Sequence, residues 1–326
     1  MGSVRRQPTS APHRAGLDIP AQQVVNVPPR RPRTRPPASL AAPDGRFLDV
    51  DGVAVHHRIS GPADAPAVVL FHHFYGSTTT WRHVQDDLAR DHLVISFDRV
   101  GFGLTERPPR SAWGERNPYT REMAARIAVA LLDDSDVEVA TLVGASAGGT
   151  AALETYAWAP DRVSGLALLS PAITGDVGAP ARLRRLLRSR LLRPIGARIV
   201  QRVAGAVTRD RVARSWHDPR LATDDDVDAY VRPLQVDDWQ HGFWDVMTAE
   251  PPPDLRALLT RIDVPTLVVA GASDPVIGPG WNRRTADAIP GARFGLLPDV
   301  GHTPHEERPD LLLPVLRRFL DDIADD

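Results

Sequence analysis

The stretch Thr141-Leu142-Val143-Gly144-Ala145-Ser146-Ala147-Gly148-Gly149-Thr150 decides how this chain reads. Its first three residues form an apolar run of the kind that makes a buried strand, and residues 150–158 continue as a helical stretch. The glycines between them allow a sharp turn without Cβ clashes. A strand–turn–helix of the form G-x-S-x-G lifts the serine to the helix amino terminus, where the helix dipole favours developing negative charge. The motif alone is weak, because glycine and serine are common enough for chance to supply it in roughly one such chain in ten. The plain alternative is a serine that only caps a helix.

Working outward, short β-branched runs alternate with helical stretches. Strands are expected at residues 47–50, 53–58, 68–72, 94–98, 141–144, 166–170, 266–271 and 293–297, and helices at 81–89, 120–133, 147–158 and 310–322. Val68-Val69-Leu70-Phe71 is apolar without alternation, as a strand buried on both faces of a parallel sheet should be. The fold class is therefore α/β, with a mostly parallel central sheet flanked by helices and its first two strands paired as a hairpin at one edge. Residues 176–255 break the rhythm, with helical runs and no strand signal. They read as a helical cap inserted over the carboxyl end of the sheet, between core segments 44–175 and 256–326.

Two further residues turn the serine motif into a constellation. Asp274, in Gly271-Ala-Ser-Asp274-Pro275, follows one expected strand, and His302, in Gly301-His302-Thr-Pro-His305-Glu306, follows the last. Loops leaving the carboxyl ends of strands share one edge of a parallel sheet, the edge that also carries Ser146. A serine nucleophile needs a histidine base, and the histidine needs a carboxylate to fix its tautomer. The order Ser, Asp, His along the chain suits that geometry.

Over residues 47–326 the chain resembles the α/β-hydrolase family. His72-His73-Phe74-Tyr75-Gly76-Ser77 with Trp81 is similar to the family's H-G-F-x-G-S…W loop, and Asp98-Arg99-Val-Gly101-Phe102-Gly103 to its D-x-x-G-x-G loop. Residues 301–309 look like its G-H-x-x-H-x-E-x-P segment. The resemblance implies a capped serine hydrolase without a cofactor, acting on an ester, lactone or thioester of a small to medium apolar acid. It also implies an oxyanion hole from the backbone N–H groups of Phe74 and Ala147. Carbon–carbon bond hydrolases, perhydrolases and biosynthetic elimination or cyclisation enzymes share these motifs, as do non-catalytic ligand receptors. Epoxide hydrolases and haloalkane dehalogenases place aspartate at the elbow, and Ser146 argues against both. One departure stands out. The family's H-G glycine is His73 here, which either narrows the site, offers a polar group to substrate, or packs behind the loop.

Candidate pocket residues are His73 and the cap aromatics Trp216, Trp239, Phe243 and Trp244, with Met247 beside them. Asp98 is expected to order its own loop, and Glu106 and Arg107 to lie on the surface. No histidine and carboxylate set has metal-ligand spacing, so no metal is expected. Residues 182–214 hold eleven arginines against one acid, Asp210, and Leu183, Leu186, Leu187 and Leu191 recur at helical spacing. Three readings stand: a solvated basic face over packed leucines, arginines turned inward to a substrate anion, or a cap resting on an anionic membrane.

Residues 1–43 hold seven arginines, nine prolines and one acid, Asp18, and read as a disordered arm. Arg5-Arg6 hints at an export signal, but no apolar segment follows it. The net charge of −2 therefore hides an acidic body, which argues against a nucleic-acid-binding domain. Cysteine is absent, which excludes disulfides, thiolate metal sites and cysteine nucleophiles. The expected partner is a small-molecule substrate, with no stable membrane insertion and a cytoplasmic setting. The sequence does not fix the oligomeric state.

Overall fold

Arg46–Val50 (β1) and Val53–Ser60 (β2) form a hairpin through Asp51 and Gly52, whose φ angles are 52° and 80°. Two successive positive-φ residues make the two-residue turn that matches strand twist. The computed structural model describes residues 35–173, 186–187, 189, 191–204, 209–249 and 254–324. The later strands are Ala67–Phe71 (β3), Leu93–Phe97 (β4), Ala140–Ala145 (β5), Val163–Leu169 (β6), Thr266–Gly271 (β7) and Arg293–Leu297 (β8). They join one sheet in the order β1-β2-β4-β3-β5-β6-β7-β8, parallel from β4 to β8. β2 joins it antiparallel to β4.

The sheet has a core on each face because its inner strands are apolar at most positions on both faces. Val69, Phe71, Ile95, Leu142, Leu168 and Val268 point to one side, with Ile127 and Leu131 of Arg121–Asp134 (α2) and Leu153 of Ala147–Trp158 (α3). Val68, Leu70, Val94, Val143, Leu169 and Val269 point to the other. There they meet Val84 and Leu88 of the short helix Arg82–Leu88, and Leu312, Leu316 and Phe319 of the last helix, Pro309–Ala324. Neighbouring strand residues thus serve opposite layers, as a two-residue period requires. A helix over Pro279–Ala288, between β7 and β8, was not among those expected. Its signal is proline at the first helical turn, after Gly278.

Between β6 and β7 every described element is helical, including Arg193–Ala204 (α4), Asp224–Val231 (α5) and Trp239–Ala249 (α6). The α5 amino terminus is a capping box: Thr223 accepts from Asp226 N–H, and Asp226 accepts from Thr223 N–H. The leucine spacing does not mark a core-facing stripe throughout. Leu187 packs on the cap aromatics, but Leu186 and Leu191 are 57% and 85% exposed, and Leu183 lies outside the described residues.

Most of the expected arm, residues 1–34, also lies outside the described residues. Its final stretch departs from the expectation. Arg35 pairs by backbone with the cap, donating to Gln235 O at 2.9 Å and accepting from Asp237 N–H at 3.2 Å. Pro37–Ser39 then forms one 3₁₀ turn. Composition could not show this, because the order comes from backbone partners two hundred residues away. No helix among the described residues is long and apolar enough to cross a membrane.

Candidate active site

Ser146 sits between β5 and α3 with φ 50° and ψ −116°. A non-glycine residue in this region is strained and persists only when its surroundings hold it. Here Ser146 N–H donates to Leu169 O at 2.8 Å, and Ser146 O accepts from the N–H groups of Gly149 and Ala172. The glycines are steric requirements. A Cβ on Gly144 would lie 2.5 Å from Gly148 O, and one on Gly148 would lie 2.1 Å from Phe71 O and 2.6 Å from His72 O. That close approach seats the elbow against the loop that carries Phe74. Gly148→Ala should therefore push the two loops apart and lower kcat by about 10²-fold, the cost of roughly 1 Å of misplacement. An unchanged kcat in a folded Gly148→Ala protein would contradict this.

Asp274 and His302 leave the carboxyl ends of β7 and β8 and meet there. Asp274 Oδ2 lies 2.8 Å from His302 Nδ1, while Oδ1 accepts from the N–H groups of Val276 and Ile277 at 2.8 and 2.9 Å. Burial works against the carboxylate, but the His302 hydrogen bond and charge and the two amides hold its pKa below the usual range. The His302 loop is itself clamped. Its N–H donates to Ser215 O of the cap at 2.7 Å, and Glu307 accepts from Gly301, His217 and Asp218 N–H at 2.7, 2.7 and 3.0 Å. Ser146 and His302 are 8% and 7% exposed.

The loop after β3 is built from buried polar groups. His72 Nε2 accepts from Arg99 N–H at 3.1 Å, so Nδ1 is the atom that donates to His73 O at 2.7 Å. Burial, with Arg99 beside it, holds His72 well below the ordinary imidazole range, in its neutral form. Asp98 orders the neighbouring turns as expected, accepting from Thr78 N–H at 2.6 Å and Leu104 N–H at 2.7 Å. Gly103 has φ 51° and presses on that carboxylate, where a Cβ would lie 1.9 Å from its carbon. His56 Nδ1 completes the set at 2.8 Å from Asp98 Oδ2. Nothing in the local sequence marks His56, whose partner lies 42 residues away. Arg107, expected on the surface, is buried, donating to Thr105 O and Gly103 O and packing against Gly242 of α6.

His73 packs behind the loop. Its Nδ1 lies 2.8 Å from Phe74 O, and its Nε2 lies 3.1 Å from both Glu306 Oε2 and Tyr230 Oη. Both nitrogens are thus engaged by protein, which corrects the expectation that His73 offers a polar group to a substrate pocket. Tyr230 of α5 donates to the same Glu306 oxygen at 2.7 Å. The network ties the loop after β3, the His302 segment and α5 together. Burial opposes ionisation of Glu306, but the His73 hydrogen bond and the nearby His73, His305 and Arg82 bring its pKa to about 2. His73, His305 and Glu306 could converge on a metal ion, their ligand atoms lying within 4.8 Å. Here Glu306 Oε2 is already shared by His73 and Tyr230, and the Arg82 guanidinium lies 3.8 Å from Oε1. That arrangement reads as a closed hydrogen-bond network.

The pocket expectation for the cap aromatics divides. Phe243 meets Phe74, Tyr75 and Phe102 at centroid distances of 5.2, 5.0 and 5.9 Å, so it lies against the loop after β3. Trp239 and Trp244 pack with Val200 in the cap core, and Trp216 packs with Ala213 and Ala222. Met247 is half exposed. All three tryptophans are buried, and Trp239 and Trp244 share one cluster with Phe102 and Phe243.

A sequence profile described as the alpha/beta hydrolase fold matches residues 66–309. The chain belongs to the alpha/beta hydrolase fold family. It is 28% identical over 313 residues to an uncharacterised Mycobacterium tuberculosis protein, covering 90% of this chain and 85% of that one. It is also 28% identical over 286 residues to a Bacillus subtilis protein named putative 2-succinyl-6-hydroxy-2,4-cyclohexadiene-1-carboxylate synthase, covering 84% and 97%. The solved enol-lactonase of Burkholderia xenovorans superposes with a TM-score of 0.67 at 26% identity, covering 84% of this chain and 99% of that one. Other relatives in this hydrolase family are named esterase, enol-lactonase and epoxide hydrolase.

His305 is a hydrolase-core residue with a measurable signature. It is fully buried, stacks on Trp81 at 4.3 Å, and has no hydrogen-bond partner for either ring nitrogen among the described residues. Burial lowers its pKa from 6.5 to about 3. Between those values the unfolded chain takes up a proton that the folded chain does not. This contribution to stability is complete above about pH 6.5 and falls away as pH drops toward 3, by about 1.4 kcal/mol per pH unit. His305→Phe should flatten that slope in urea titrations and stabilise the fold, since it removes orphaned polar atoms. An unaltered slope would contradict the prediction.

Proposed function

We propose that the protein is a serine hydrolase of a small to medium apolar ester or lactone, with Ser146 as nucleophile, His302 as general base and Asp274 as its partner. The reading rests on one observation: a strained Ser146 turn at the same sheet edge as a hydrogen-bonded His302–Asp274 pair. Asp274 accepts a hydrogen bond from His302 Nδ1–H and so holds that proton on Nδ1, which leaves Nε2 as the basic atom. Ser146 Oγ adds to the acyl carbon as its proton passes to His302. The N–H groups of Phe74 and Ala147 hold the oxyanion, a pair of donors each worth about 2.7–4 kcal/mol of barrier. The leaving oxygen then takes the proton from His302, and water, deprotonated by the same nitrogen, releases the acid and restores Ser146. No step calls for a cofactor.

The enol-lactonase and esterase relatives support an ester or lactone as substrate class. A second reading, elimination without an acyl-enzyme, is favoured by the relative that carries a synthase name. Treatment with a fluorophosphonate separates them. One adduct by intact mass on wild type, and none on Ser146→Ala, is expected. A folded wild type that gains no adduct would remove Ser146 as an activated nucleophile and leave the second reading.

A further inference from the structure

Helix α4 (Arg193–Ala204) has two apolar faces, and among the described residues one is packed and the other exposed. The inner face is fixed by close packing. A Cβ on Gly196 would lie 2.3 Å from the Trp244 ring, and Val200 sits among Phe102, Trp239, Phe243 and Trp244. Arg193 turns inward too, but onto Asp245 and not toward a substrate, with Nε and Nη2 at 2.9 and 2.7 Å from Oδ2. With the inner contacts complete, the outer face is left over. Leu191, 85% exposed, lies in the turn before the helix, and the outer face carries Ile195, Ile199 and Val203, which are 51%, 54% and 56% exposed. Their spacing of four aligns them in one stripe along the helix. Arg198 and Arg202, both exposed, run alongside.

We infer that this stripe is a docking surface for an anionic lipid bilayer. Single exposed apolar residues need no explanation, but a contiguous aliphatic row marks an interaction surface. The charge around it selects the partner. Arg198 and Arg202 flank the row, so a second copy of this face would meet like charge. An anionic surface is attracted, and guanidinium groups suit phosphate oxygens. A helix with an aliphatic row beside arginines lies in a bilayer interface, with the row among acyl chains and the arginines at phosphate level. The inner face of this helix packs on the aromatics that meet Phe74, so docking brings the bilayer to the helices beside the Phe74 loop.

The test is sedimentation of the full chain with sucrose-loaded vesicles, either pure phosphatidylcholine or an equal mixture with phosphatidylglycerol. Wild type should bind the mixed vesicles at low salt and leave them at high salt. Ile195→Glu/Ile199→Glu and Arg198→Gln/Arg202→Gln should each lower the partition coefficient about tenfold or more, with melting temperatures unchanged because all four side chains are exposed. Three results would overturn the inference. Wild type could fail to bind. The isoleucine variant could bind as well as wild type, which would place binding in the arm's arginines. Or the same variant could disperse a dimer without changing vesicle binding, which would make the partner a second copy. No arm depends on turnover, so failure here leaves the hydrolase reading untouched.

Discussion

Ser146→Ala should lower kcat on any ester that the wild type hydrolyses by a factor on the order of 10⁶. Alanine keeps the Cβ, so the strained turn, its Leu169 hydrogen bond and the Gly148 packing all persist. Only the attacking oxygen is lost. The melting temperature should therefore stay close to wild type, and KM should change little, since binding does not need Oγ. The residual rate would come from the oxyanion donors and from substrate binding. The check is steady-state kinetics beside a thermal melt. Retained turnover in the variant would place the chemistry elsewhere.

Asp274→Asn should lower kcat by about 10⁴ at neutral pH, and the geometry says why. The Oδ1 atom accepts from two backbone amides, Val276 and Ile277. An asparagine must keep its oxygen there, so its NH₂ group faces His302 Nδ1. That donor forces Nδ1 to accept and moves the ring proton to Nε2, where a base is needed. The ring stays in place in the wrong tautomer. Fluorophosphonate labelling should slow in parallel with kcat, because both need Ser146 deprotonated. Adding Asp274→Asn to Ser146→Ala should cost little more than Ser146→Ala alone, since residues that act as a unit are not additive. A variant that labels at the wild-type rate would show that Asp274 does not set the tautomer.

Local signals carried the fold a long way. All-apolar runs such as Ala67–Phe71 can only be strands buried on both faces, and Thr266–Gly271 and Arg293–Leu297 lie where their composition puts them. Ser146, Asp274 and His302 were legible because each combines a residue type with a strand-end position. The helix Pro279–Ala288 was missed, its apolar pattern being weak on a largely polar helix.

Other features belong to tertiary structure alone. His56 and Asp98, 42 residues apart, meet because β2 pairs with β4. His73 meets Glu306 across 233 residues, and Tyr230 joins them from the cap. Arg35 is ordered by backbone partners at residues 235–237. The two apolar faces of α4 look alike in sequence, and only the packing of Gly196 on Trp244 shows which one is left for solvent. The reason is the range of the forces. Backbone propensity and hydrophobic periodicity act between near neighbours and are written locally. A buried charge or a second apolar face is settled by whichever distant group the folded chain brings within hydrogen-bonding or van der Waals distance.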